Sequence, residues 1–101
     1  MAVLTVKNAL DNGSRKINGS LRETLRLAKS GDTIRFSPAL KNKTIKLTRN
    51  FSIDKNITID ASQAPGVTLD GKKKYVIFSV KGKARSFKVK GLTLENAFHG
   101  Y

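Results

Sequence analysis

The chain has no cysteine and no tryptophan. Without cysteine there is neither a disulfide framework nor a thiolate zinc site. Without tryptophan, the interior must be assembled from Ile, Leu, Val and Phe. Acidic residues are scarce: seven Asp and Glu face 20 Lys and Arg, for a formal net charge of +13. That balance favours a polyanionic partner such as nucleic acid, acidic polysaccharide or lipid head groups. The plainer account is that lysines on outward strand positions keep the sheets soluble. No apolar run approaches the length of a membrane span. The opening residues, Met1-Ala2-Val3-Leu4-Thr5-Val6, lack a charged region followed by a long apolar stretch, so they do not read as a signal peptide. The expectation for an exported parent is that its signal is absent from this sequence.

What is present suits a single domain over residues 1–101, with 39% hydrophobic residues for a modest core. Val3 to Val6 alternates apolar and polar residues and reads as a first strand. Asp11-Asn12-Gly13-Ser14 is turn chemistry. Ser20-Leu21-Arg22-Glu23 is a capping box, in which the Ser20 hydroxyl accepts from the Glu23 amide and the Glu23 carboxylate reaches back to the Ser20 amide. Leu21, Leu25 and Ala28 then fall on one helical face, and Gly31 stands where a glycine stops a helix. The spacing predicts one helix over about residues 21 to 30.

After Gly31 the period changes to two. Thr33–Phe36, Thr44–Leu47, Phe51–Asp54, Ile57–Asp60 and Val67–Asp70 alternate, and the pattern continues through Val76, Phe78 and Val80, then Phe87 and Val89, then Leu92 and Leu94. Phe51–Asp54 followed by Ile57–Ala61 resembles Phe87–Lys90 followed by Leu92–Asn96, at offsets of 36 and 35 residues, and Thr44–Leu47 resembles Val67–Asp70 at an offset of 23. Recurrence on this scale marks an array of stacked repeats. Short links such as Lys55-Asn56 suit corners better than hairpins. The expected architecture is therefore mainly β: a parallel solenoid of about three stacked coils over residues 33–96, with residues 20–30 as an N-terminal capping helix. An antiparallel sandwich or small barrel stands beside it, supported by the hairpin dipeptide Asp70-Gly71. No second cap follows Leu94, so the sequence reads as a fragment or minimised form of a longer solenoid, or as one that self-associates through its uncapped last coil.

Gly19-Ser20-Leu21-Arg22-Glu23-Thr24-Leu25, Ala28, Gly31-Asp32-Thr33-Ile34-Arg35-Phe36 and Ala64-Pro65-Gly66-Val67 resemble the cap and first coils of pectate-lyase-like proteins, including bacterial polymorphic outer-membrane and adhesin-type surface proteins and polysaccharide lyases. The resemblance covers about residues 3 to 96. It implies a right-handed parallel β-helix and a place outside the cell or on a bacterial cell surface. It carries over no catalytic residue, because the acids and the basic group that act in the lyases lie on later coils, and no segment here matches them. Fold analogy alone assigns no reaction.

The residues themselves offer little catalytic chemistry. His99 is the single histidine and has no nucleophile constellation beside it. Asp54, Asp60, Asp70 and Glu95 each end a strand, where a carboxylate bonds corner amides. A Ca²⁺ site would need several of these oxygens to converge on one point. The expectation is no catalytic residue, no metal and no cofactor for this chain alone. Asn12, Asn18, Asn42, Asn50 and Asn56 each precede x-Ser or x-Thr, which are also the turn residues of such a fold.

Basic groups are the better candidates. Lys72, Lys73 and Lys74 form one loop cluster, and Lys81, Lys83 and Arg85 a second. Lys88 and Lys90 alternate with Phe87 and Val89 and should point outward. Stacking would join them into a stripe for an acidic polysaccharide or another polyanion. The leading expectation is a non-catalytic structural and binding module for adhesion or glycan contact. The alternatives are the N-terminal part of a polysaccharide lyase or hydrolase whose groove lies downstream, and a basic module that binds nucleic acid.

Overall fold

The computed structural model describes residues 2–11, 17–80, 82 and 86–96. In chain order the elements are β1 (Val3–Val6), α1 (Leu21–Leu27), β2 (Thr33–Phe36), a 3₁₀ turn (Pro38–Leu40), β3 (Thr44–Lys46), β4 (Phe51–Ile53), β5 (Ile57–Asp60), β6 (Thr68–Asp70), β7 (Phe78–Val80), β8 (Phe87–Lys90) and β9 (Thr93–Glu95). The strands follow from the two-residue alternation. In β2, for example, Ile34 and Phe36 are fully buried while Thr33 and Arg35 stay half-exposed.

The strands form three sheets, ordered β1-β2-β5-β8, β3-β6-β9 and β4-β7. Every pairing is parallel, so the antiparallel sandwich does not form. The expected right-handed β-helix of about three coils is corrected as well. The protein is small and mostly strand, with several short parallel sheets and one helix, and its described residues make no regular solenoid. A solenoid repeats the same strands in every coil. Here the sheets hold four, three and two strands, and paired strands lie from 24 to 30 residues apart.

The repeats read from the sequence also change partners. Phe87–Lys90 lies beside Ile57–Asp60, not Phe51–Asp54, and Thr44 faces Thr68, not Val67. A slip of one residue would turn Ile45 and Leu69 toward opposite faces, so burial selects the register. Inward residues consequently line up: Leu4, Ile34, Ile59 and Val89 in the first sheet, Ile45, Leu69 and Leu94 in the second, and Phe51 with Phe78 in the third. Ile34, Ile45, Ile59 and Leu69 are completely buried, and the three sheets share one core.

The helix starts as the sequence predicts. The Ser20 hydroxyl accepts the Glu23 amide at 3.1 Å. The Ser20 amide itself donates to the Ile17 carbonyl, and the Glu23 carboxylate accepts from Arg26 at 2.8 and 2.6 Å. The helix ends at Leu27, three residues earlier than expected, because its last carbonyls find tertiary partners instead of a glycine cap. The Lys55 ammonium donates to the carbonyls of Leu25, Arg26 and Ala28 at 3.3, 3.4 and 2.5 Å. The Asp32 carboxylate meanwhile accepts the amides of Ala2 and Lys29 at 2.9 and 2.8 Å, which draws the chain out of the helix. A cation on these carbonyls also answers the negative end of the helix. Lys55→Met should therefore cost about 1 kcal/mol in thermal unfolding. A variant as stable as the parent would mean that water serves those carbonyls equally well.

Leu21 and Ala28 enter the core, and Leu25 packs against it. Arg22 donates to the carbonyls of Arg49 and Asn50 at 2.6 and 2.9 Å and lies 4.4 Å over the Phe51 ring. Arg22 thus ties the helix to the segment that leads into β4. At the opposite end β7, β8 and β9 are the last strands of their sheets, and Val80 and Val89 are 50% and 37% exposed. Among the described residues no helix is long and apolar enough to cross a membrane.

Candidate polyanion-binding site

Strand β6 ends at Asp70, and the chain turns at once. The Asp70 carboxylate accepts the Lys72 amide two residues on, at 2.8 Å, and the Asn96 side-chain amide at 3.1 Å. Asp60 does the same after β5, accepting the Ser62 amide at 3.0 Å. Both are Asx turns, the role expected of strand-end carboxylates. The Lys72 amide, the Asn96 side chain and the nearby charges of Lys46 and Lys72 outweigh burial and hold the Asp70 carboxyl below its ordinary value of 3.8.

Lys72 and Lys73 then take φ of +56° and +62°, two successive left-handed residues. The Lys74 amide closes the turn on the Gly71 carbonyl at 3.0 Å. This is the handedness of a mirror-image turn, where asparagine and glycine are the usual residues. The turn is tied to the next strand: Gly71 donates to Glu95 at 2.9 Å and Lys73 to Asn96 at 2.6 Å. All three lysine side chains are exposed, while Tyr75 is half-buried against the core. The result is three consecutive ammonium groups on a fixed backbone. Each is a compact charge with three donors, suited to carboxylate, sulfate or phosphate oxygens.

The other candidates are dispersed. Lys88 and Lys90 are exposed on β8, in the first sheet, whereas Lys72–Lys74 follow β6, in the second. Lys90 stands next to Asp60, which in turn stands next to Arg35. Lys81, Lys83 and Arg85 lie outside the described residues, as does His99. One stripe joining all the basic clusters is therefore not seen among the described residues. The acids do not converge on one point: Asp60 belongs to the first sheet, Asp70 and Glu95 stand side by side in the second, and Asp54 follows β4. Among the described residues no group of three or more Asp, Glu, His or Cys is placed to hold a metal ion.

Sequence reasoning located Lys72–Lys74 as a loop but missed the conformation that displays them. The signal was available in the Asp that ends both Ile57–Asp60 and Val67–Asp70, since an Asx turn explains Asp70-Gly71 as well as a hairpin does. It also missed Asp11, read as a local turn residue. Asp11 accepts from Arg22 Nε and Nη2 at 2.7 and 2.9 Å, and from the Thr48 amide and hydroxyl at 2.9 and 3.0 Å. No local pattern could reveal a bond across 37 residues. No known protein family, curated protein or solved structure matches the chain.

Proposed function

We propose that the protein is a non-catalytic binding module that holds a polyanion, an acidic polysaccharide above all, on the turn after β6. The observation that carries this reading is the left-handed backbone of Lys72 and Lys73. A left-handed residue with a side chain costs roughly 1–2 kcal/mol, and such strain collects at functional positions. Glycine or asparagine would relieve it. Lysine there spends stability to hold charge in one place. The sequence resemblance to pectate-lyase-like proteins supports an acidic glycan as the polyanion, and with it a place at a bacterial surface or in a secreted protein.

The test separates stability from binding. Lys73→Gly should raise stability by roughly 0.5 kcal/mol, the relieved strain being partly offset by roughly 0.5–1 kcal/mol of glycine chain entropy. The combined variant Lys72→Gly, Lys73→Gly, Lys74→Gln should bind polygalacturonate oligomers at least about tenfold more weakly in calorimetry at about 50 mM salt, with a shallower salt dependence. Lys41→Gln with Lys43→Gln, two exposed lysines ahead of β3, should change affinity little. Equal losses from both sets would mean that binding follows net charge alone, and the proposal would fail.

A further inference from the structure

The chain makes the same Asx turn twice, after β5 and after β6, and the two are fastened differently. Asp60 accepts from the Ser62 main-chain amide at 3.0 Å and from the Ser62 hydroxyl, a purely local arrangement. Asp70 accepts one bond from its own turn, the Lys72 amide at 2.8 Å, and one from across 26 residues, the Asn96 side-chain amide at 3.1 Å. Both bonds arrive at the same oxygen, Oδ1. That oxygen joins the turn to the end of β9.

The backbone that follows differs as well. The Asp70 turn runs on into Lys72 and Lys73 at φ +56° and +62°. The other non-glycine residues with positive φ among those described are both asparagines, Asn42 and Asn96, whose short amide tolerates that region. Lysine has no such allowance. Without a restraint the pair would relax to right-handed or extended backbone and carry its ammonium groups with it. Main-chain bonds supply part of the restraint, from Gly71 to Glu95 and from Lys73 to Asn96. Asp70 supplies the acceptor for the first of the two left-handed residues. The turn amides are all spent in this way, Lys72 on Asp70, Lys73 on Asn96 and Lys74 on Gly71. An anion is therefore left to the three ammonium groups, whose placement the turn controls.

Electrostatics alone gives Asp70 the opposite role. A carboxylate beside three lysines weakens the field that draws a polyanion, and it also offsets Lys46, its neighbour in register on β3. We infer that Asp70 is the positioning residue of the lysine turn, an acid on which polyanion binding depends because it holds Lys72 and Lys73 left-handed. The inference rests on the polyanion reading above and adds the residue that pre-organises that site.

Asp70→Ala, Asp70→Asn and Asp60→Ala each raise the net charge of +13 by one. Charge alone therefore predicts tighter binding of polygalacturonate oligomers by all three. Positioning predicts a split. In calorimetry at about 50 mM salt, Asp70→Ala should bind about fivefold more weakly than the parent. Asp60→Ala should bind up to about twofold more tightly. Asp70→Asn should match Asp60→Ala, because its amide oxygen replaces Oδ1 for both donors. Amide exchange should quicken at Lys72 and Lys73 in Asp70→Ala but not in Asp70→Asn. Asn96→Gly leaves the charge unchanged, suits the φ of +53° and removes one of the two donors. It should weaken binding about twofold, and it decides the matter if Asp70→Ala melts too low to measure. Binding by Asp70→Ala as tight as by Asp60→Ala would overturn the inference. So would parent affinity in Asn96→Gly where Asp70→Ala is too unstable to use. The variant Lys72→Gly, Lys73→Gly, Lys74→Gln separates this failure from that of the site itself. If it too binds like the parent, the polyanion reading falls and the role of Asp70 with it. If it binds weakly while Asp70→Ala does not, only the role of Asp70 falls.

Discussion

Ile59→Ala should destabilise the protein by about 3 kcal/mol, lowering the melting temperature by roughly 10–20 °C for a chain of this length. Ile59 is completely buried and lies in the line Leu4–Ile34–Ile59–Val89. Its strand, β5, is paired on both sides, with β2 and with β8. Two parallel ladders hold the backbone in place, so the space left by the removed atoms cannot close. Loss of apolar burial and the residual cavity then add. Val89 ends the same line but is 37% exposed on an edge strand. Val89→Ala should cost only about 0.5–1 kcal/mol, because fewer contacts are lost and water fills the gap. Urea denaturation measures both, with the dependence on urea unchanged between them. Equal costs for the two substitutions would contradict the central position of β5.

Asp11→Ala should have a comparable effect, about 3 kcal/mol, for a different reason. The Asp11 side chain is 1% exposed and pairs with Arg22, which is 17% exposed. Removing the carboxylate leaves the guanidinium and the Thr48 amide without the acceptor that joins them. It also loosens the attachment of the helix to the Arg49 and Asn50 carbonyls and to the Phe51 ring, since Arg22 makes all of these contacts.

The same group makes stability depend on pH. Burial raises the Asp11 carboxyl, but Arg22 and Thr48 together outweigh it and hold the carboxyl below 3.8. The folded protein therefore takes up a proton there less readily than the unfolded chain does. The resulting stabilisation is complete above the unfolded value of 3.8 and is lost as pH falls through the lower folded value. Asp32, Asp60 and Asp70 are lowered as well and act in the same direction. The melting temperature should stay nearly level from neutral pH to about pH 5 and then drop steeply. In Asp11→Asn the drop should be shallower but present. A drop as steep as in the parent would show that Asp11 carries none of the acid sensitivity.

Local features were legible where local physics decides them. The alternation of Thr33–Phe36, Ile57–Asp60 and Phe87–Lys90 gave those strands their observed bounds, because period-two burial needs nothing beyond the strand itself. Ser20 could be read as the helix cap because its bond to Glu23 spans three residues. The helix end could not, because Lys55 and Asp32 terminate it from elsewhere in the chain. The apparent repeat at 36 residues misled for a related reason. Similar alternating segments are interchangeable as patterns, and only packing against a common core shows that Phe87 belongs beside Ile57.

By itself, the amino-acid order determined a cysteine-free, strongly basic, mostly strand protein with one capped helix, because composition, alternation and caps act over a few residues. The tertiary structure alone decided which strands are neighbours, that the sheets hold unequal numbers of strands, that Asp11 and Arg22 tie the helix down, and that Lys72 and Lys73 are held left-handed. Each of these depends on contacts between segments distant in the chain, whose free energy arises only when the core brings them together.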